Sequence, residues 1–248
     1  MIQERNVTNV ISVKPKAVFL AAEQAFPREN IEVTSTLPPS GIGSLLALEN
    51  AVIVAVMKLV SPKAIFEFGT FNGSSAVLFA RNTPRETMVT TLDLPEEEIS
   101  TLDKSGLDIK DGRDNDEFLR REFLNSGAFY IKRSDCSIRE KIIQIRENSL
   151  KFEPASYKLC STQDLIFIDG GHDYLTVEND TDKAKILGKR DRVMIWHDYG
   201  SETHPDVSLY LRRCTLEGIT IHILHTMLAM NFGGAHEQIG QKILNSLG

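Results

Sequence analysis

The sequence predicts an α/β fold, a mostly parallel sheet with helices on both faces, and three observations carry that prediction. Apolar runs of strand length alternate with segments of helical periodicity along the chain. One run, Ile65-Phe66-Glu67-Phe68, leads straight into Gly69-Thr70-Phe71-Asn72-Gly73-Ser74-Ser75, which reads as a buried strand, a tight turn and a helix start. The last two runs, 219–224 and 228–232, lie too close together for a crossover helix and so pair as an antiparallel hairpin.

The elements follow in order. Residues 1–40 are mixed in composition and end in the breaker cluster Thr36-Leu37-Pro38-Pro39-Ser40-Gly41, which marks them as an N-terminal arm or cap and a contact through which a homo-oligomer could form. Residues 41–248 then read as one domain. A helix over 42–60, closed by Pro62, feeds the first core strand. Residues 88–93 form a second strand ending in Asp93. Residues 94–125 shift to acidic and polar composition, with Glu96-Glu97-Glu98, Asp108, Asp111, Asp114 and Asp116, and read as an insertion with a short helix at 115–124. Such a segment is either a solvated loop or a lid over a substrate. A third strand is predicted at 129–136, a helix at 137–150 and a loop at 151–163. Strands at 164–169 and 192–197, helices at 174–187 and 206–216, and a closing helix at 236–247 complete the pattern.

Composition narrows the function classes. The chain has 248 residues, 42% hydrophobic, enough for one sizeable core. A formal charge of -6 argues against a general nucleic-acid binder, which needs a positive footprint. Cys136, Cys160 and Cys214 show no metal-binding spacing and are odd in number, which favours a reduced setting. Neither a leader pattern nor a membrane-length apolar run is visible, so the expectation is a cytoplasmic protein without a membrane partner.

The chemistry collects at the strand ends, where open α/β sheets bind ligands. The first turn has the form E-x-G-x-x-x-G rather than G-x-G-x-x-G. Its acidic residue would repel a pyrophosphate and suits a cationic or hydroxyl-rich ligand. Asp93 stands a little over twenty residues past that turn, where a carboxylate accepts from ribose hydroxyls, although an acid before a Pro-containing turn is also ordinary turn chemistry. Asp135 is a cofactor candidate or a helix cap. The fourth core strand delivers Asp169-Gly170-Gly171-His172-Asp173-Tyr174 and the fifth Trp196-His197-Asp198-Tyr199, so Asp169, His172, His197 and Asp198 are expected to share one cavity. Two carboxylates and imidazole there form a metal-site pattern whose oxygens favour magnesium, calcium or manganese. Taken singly, a histidine or aspartate at a strand end is more often structural, and Asp173 reads as a cap. His225 and Asn231 are placed at the rim, and His204, His222 and His236 have no functional context.

On these motifs the chain resembles the class I S-adenosylmethionine-dependent methyltransferases. The resemblance implies a Rossmann-like class I methyltransferase fold with a reversed terminal strand. It also implies that Gly69 and Gly73 admit the cofactor, that Glu67 organises its amino-acid end, and that Asp93 and Asp135 take its ribose and adenine. Thr70, Phe71, Ser74, Ser75 and Asp169 belong to the same implied cofactor set. Within that family it is similar to the metal-dependent small-molecule O-methyltransferases of the macrocin and mycinamicin type and to cephalosporin-hydroxylase-like sequences. There the strand-end acids hold a divalent cation and Asp-x-x-His supplies a ligand and a base, which map onto Asp169 and His172, with Asp198 as a further ligand. His197 stands where that branch has glutamate, so His197 is either a ligand or a base. The implied function is O-methylation of a small-molecule hydroxyl, with S-adenosylmethionine and Mg2+ or Mn2+. The alternatives are a non-catalytic cofactor-binding or scaffolding protein, a nicotinamide-dependent oxidoreductase, and a related site with altered chemistry.

Overall fold

A computed structural model describes residues 9–36, 43–100, 116, 119 and 127–246. Its strands are β1 (Val10–Val13), β2 (Ala64–Phe68), β3 (Met88–Asp93), β4 (Ile142–Arg146), β5 (Gln163–Ile168), β6 (Gly188–Trp196), β7 (Ile219–Ile223) and β8 (Ala229–Phe232). They form one sheet in the order β1-β7-β8-β6-β5-β2-β3-β4. Only β8 runs antiparallel, to both β6 and β7, and every other pairing is parallel. This is the Rossmann-like methyltransferase arrangement expected from the sequence.

The central strands are apolar on both sides because helices cover both faces. Alternation then sorts their side chains. Ile65, Leu165, Phe167, Val193 and Ile195 join a core with α1 (Pro15–Ala25), α2 (Ala47–Val60), α3 (Ser74–Arg81) and α9 (Glu237–Asn245). Phe66, Phe68, Ile166, Ile168, Met194 and Trp196 face the opposite way, against α7 (Tyr174–Leu187) and α8 (Pro205–Leu211). Asp173 caps α7 as expected, its carboxylate accepting from the Thr176 N–H at 3.2 Å and from the Thr176 hydroxyl at 2.6 Å.

Three local expectations need correction. The run at 129–136 is helical: α5 (Phe129–Arg133) and the start of α6 (Cys136–Arg139) occupy it. The third core strand is instead β4, inside the stretch expected to be helix. β4 lies at the sheet edge and only Ile145 on it is buried, so Gln144 and Arg146 dilute its strand signature. Residues expected within an arm or cap also join the body of the fold. β1 extends the sheet alongside β7, and α1 packs on α2 and α9. Most of the breaker cluster, residues 37–41, and most of the 94–125 insertion lie outside the described residues. Within the insertion, Glu96–Ser100 forms α4 and Asp116 and Leu119 are helical. Among the described residues no helix is long and apolar enough to cross a membrane.

Candidate active site

The first turn is shaped by close backbone contact. Gly69 has φ +93, and a Cβ there would lie 1.9 Å from the carbonyl oxygen of Asp169, so only glycine lets the β2 and β5 ends meet. Gly73 has φ +80, and its missing Cβ leaves room for Ile131 of α5. Phe71, at φ 47, donates its N–H to Asp93 Oδ2 at 2.8 Å, and the Leu94 N–H reaches Asp93 Oδ1 at 2.8 Å. Asp93 thus ties the end of β3 to the turn and keeps lone pairs toward the cavity, with the Arg146 guanidinium 3.9 Å away.

Beneath the turn the Thr70 and Thr91 hydroxyls lie 2.6 Å apart, and Thr91 donates to Glu67 Oε2 at 2.5 Å. Glu67 is fully buried. Burial pushes its carboxyl up to about 8, against the lowering effect of the Ser75 and Thr91 hydroxyls. The expected cofactor residues therefore divide. Gly69, Phe71, Asp93 and Asp169 line a cavity of about 550 Å³, whereas Glu67, Thr70, Gly73, Ser74 and Ser75 support the turn from behind. Ser74 donates its N–H to Asn72 Oδ1 at 3.0 Å. Asp135 is exposed at the start of α6, and its carbonyl accepts from Ile138 and Arg139. The cavity wall expected from Asp135 comes instead from Arg146, the last residue of β4, and from Glu147, Asn148 and Ser149 after it.

The four strand-end residues converge as expected. Asp198 Oδ2 lies 3.1 Å from His172 Nε2 and 2.9 Å from His197 Nδ1, while Asp169 Oδ1 lies 3.4 Å from the same two nitrogens. Each imidazole turns its other nitrogen to an outer carboxylate. His172 Nδ1 meets Asp116 Oδ1 at 2.9 Å, and His197 Nε2 meets Glu49 Oε2 at 3.4 Å. Glu49 is itself fixed by the N–H groups of Leu46 and Met227, both at 2.8 Å. Asp198 sits at φ 59, an unusual conformation for a side-chain-bearing residue that turns its carboxylate into the ring.

The electrostatics follow from burial opposed by pairing. Burial alone would lower both imidazoles, but the carboxylates around His172 and His197 hold them well above the ordinary value. Burial alone would raise Asp169 and Asp198, and the two imidazoles instead hold both acids below theirs. A divalent cation fits the same donors. Asp169, His172 and Asp198 each offer one ligand atom within 4.8 Å of the others, a mixed oxygen and nitrogen set.

The sequence signature of the methyltransferase-domain family matches residues 66–199, more than half of the chain. The chain belongs to this methyltransferase family. No curated protein sequence matches it. Among solved structures it is similar to the O-methyltransferase TomG from Streptomyces achromogenes, involved in tomaymycin synthesis and bound to S-adenosylmethionine. Identity is 15%, coverage 94% of this chain and 100% of that one, and TM-score 0.47. It is also similar to an O-methyltransferase from Bacillus cereus in complex with S-adenosylhomocysteine, at 14% identity, 88% and 90% coverage and TM-score 0.45. A third is the Podospora anserina methyltransferase PaMTH1, bound to S-adenosylhomocysteine, at 15% identity, 91% coverage of each chain and TM-score 0.47.

Around this methyltransferase site, three residues escaped sequence reasoning. Glu49 is hidden in the apolar stripe of α2, with its N-terminal position as the one available cue. Asp116 was one acid among many in the insertion. His204, which precedes α8, stacks on His172 with ring centroids 4.1 Å apart and lies 3.8 Å from Asp116. Asn231, placed at the rim by sequence, is fully buried and donates to the Glu217 carbonyl and the Thr220 hydroxyl. Neither Asn231 nor His225 lines the cavity.

Proposed function

We propose that this methyltransferase-family chain moves the methyl group of S-adenosylmethionine to a hydroxyl of a small molecule, with help from a divalent cation. The observation that supports the reading best is the meeting of Asp169, His172, His197 and Asp198 beside the Gly69 turn, in a cavity of about 550 Å³. That volume falls within the range of small-molecule sites, roughly 300–1,000 Å³.

The residues divide the work. Asp93 would accept from the ribose hydroxyls with the lone pairs that Phe71 and Leu94 leave free. Arg146, Asn148 and Ser149 would form the wall against the base, and the backbone at Gly69 would approach the amino-acid end. Glu67 is too deeply buried to touch that end and instead holds the turn rigid. Asp169 and Asp198 would hold the cation, which when bound makes the acceptor hydroxyl more acidic.

In the reaction the hydroxyl oxygen forms a bond to the methyl carbon, the carbon–sulfur bond breaks, and its electron pair stays on the sulfur as a thioether. The hydroxyl proton goes to an imidazole. We assign it to His197: a cation held by Asp169 and Asp198 would take up the negative charge with which those acids otherwise keep the ring protonated, leaving Nδ1 able to accept, and the carboxylate behind its far nitrogen, Glu49, is itself locked by two backbone N–H groups. Alignment of oxygen, carbon and sulfur by the cavity is the larger factor, worth on the order of 7–11 kcal/mol in well-oriented reactions.

The test is calorimetry with S-adenosylhomocysteine, followed by a mass-spectrometric screen of hydroxyl compounds using methyl-labelled donor. On any acceptor found, His197→Ala should lose about 10²–10⁴-fold in turnover while keeping cofactor affinity. No S-adenosylhomocysteine binding would remove the reading altogether. Loss confined to His172→Ala would move the base role to His172.

A further inference from the structure

Asp116, His172 and His204 come from three separated parts of the chain and bring one ligand atom each within 4.8 Å of the others. We infer that they form a second cation site, separate from the Asp169–Asp198 pair, built for a borderline first-row transition metal such as Zn2+. The ligand atoms are Asp116 Oδ1, His172 Nδ1 and His204 Nε2. Asp116 Oδ1 lies 2.9 Å from the first nitrogen and 3.8 Å from the second. Two ligands that each stand about 2.1 Å from one ion are separated by roughly 3–4 Å, so these spacings suit a shared ion.

Three further features point the same way. All three side chains are largely withdrawn from solvent, at 13%, 14% and 8% exposure, yet all three line the cavity. Remaining coordination positions therefore open onto the cavity, as in sites that keep a place for water or a substrate atom. His172 also carries the outer contact that metal-bound imidazoles characteristically have. With Nδ1 on the ion, its Nε2–H would donate to Asp198 Oδ2, 3.1 Å away, which fixes ring and tautomer.

Charge supplies the third argument. Glu49, Asp116, Asp169 and Asp198 are paired here with imidazoles, and the described residues give them no lysine or arginine partner. His172 and His204 lie ring against ring at 4.1 Å, which gathers a nitrogen of each beside the one Asp116 carboxylate. Two nitrogens and one carboxylate oxygen favour zinc, iron, cobalt or nickel over magnesium, whereas the Asp169–Asp198 oxygens favour magnesium or manganese. The two sites would thus be told apart by the metal each prefers.

The probe is Co2+, titrated into metal-free protein and followed by calorimetry and visible absorption. Wild type should bind Co2+ with visible bands of nitrogen coordination and retain them in excess Mg2+. His204→Gln, which keeps bulk without the imidazole, and Asp116→Asn should each weaken Co2+ binding at least about tenfold. Asp169→Asn should leave the bands in place. The inference is overturned if wild type takes up no Co2+, if His204→Gln and Asp116→Asn bind it as wild type does, or if Asp169→Asn alone abolishes it. S-adenosylhomocysteine binding is read in the same samples, so failure of the methyl-transfer reading is seen independently of the Co2+ result.

Discussion

Glu67→Gln tests whether the carboxyl beneath the first turn is neutral in the folded protein. Burial holds that carboxyl at about 8, against an ordinary value of 4.5 that the unfolded chain regains. Below pH 4.5 both states carry the proton and this group imposes no penalty. Between 4.5 and about 8 the unfolded chain releases the proton while the folded chain keeps it, so stability falls as pH rises. Above about 8 the fall is complete. A difference of about 3.5 pH units at about 1.4 kcal/mol each puts the full loss on the order of 5 kcal/mol. Asp180, raised by burial to about 6, adds a slope of the same sign in wild type and variant alike. The difference between the two proteins therefore isolates Glu67. Glutamine has no proton to lose, keeps an oxygen for the Thr91 hydroxyl, and costs about 1 kcal/mol in imperfect hydrogen bonding. Urea unfolding should find the variant within about 1–2 kcal/mol of wild type near pH 5 and more stable by roughly 3–4 kcal/mol above pH 8. A gap that stays constant over that span would refute the reasoning, because Glu67 would then be ionised in the folded chain.

Asp93→Ala should weaken S-adenosylhomocysteine binding by about 1–3 kcal/mol in calorimetry, and unchanged affinity would remove Asp93 from the cofactor site. Gly69→Ala should fail at the level of folding, since its Cβ would overlap the Asp169 carbonyl. A variant with a normal thermal transition that only loses ligand affinity would contradict that cause. Chelation should suppress turnover on any acceptor identified, with Mg2+ or Mn2+ restoring it in wild type and not in Asp169→Asn. Full turnover in chelator would exclude a metal role for the strand-end acids.

Much of this site could be read before any coordinates, because the central strands announce themselves. Buried on both faces, most of β2 and β5 and the last four residues of β6, Val193–Trp196, are apolar runs, β3 is buried from Val89 to Leu92, and the polar residues that end them, Asp93, Asp169, His197 and Asp198, are conspicuous. β4 was lost for the opposite reason: half-exposed at an edge, Ile-Ile-Gln-Ile-Arg has too little contrast with its charged neighbours. The aromatic run at 129–133 looked more strand-like than β4 does, yet only Ile131 of α5 is buried. Glu49 and His204 were illegible because their meaning lies in distance along the chain. Glu49 reaches His197 across 148 positions, and nothing local to an apolar helix foretells such a partner.

The contact between Gly69 and the Asp169 carbonyl has a consequence for how such a protein can diversify. Two turns joined backbone to backbone cannot drift apart, so for the proposed chemistry the spacing between donor and acid pair is inherited with the sheet itself. The opposite rim has no such constraint. Asp116 and Leu119 reach it from the insertion, and Ser201, Thr203 and His204 from the segment before α8. A search for altered acceptor preference belongs on that rim at Leu119 and Thr203, which have no part in either cation site, so that substitutions there can reshape the opening and leave the fixed half untouched.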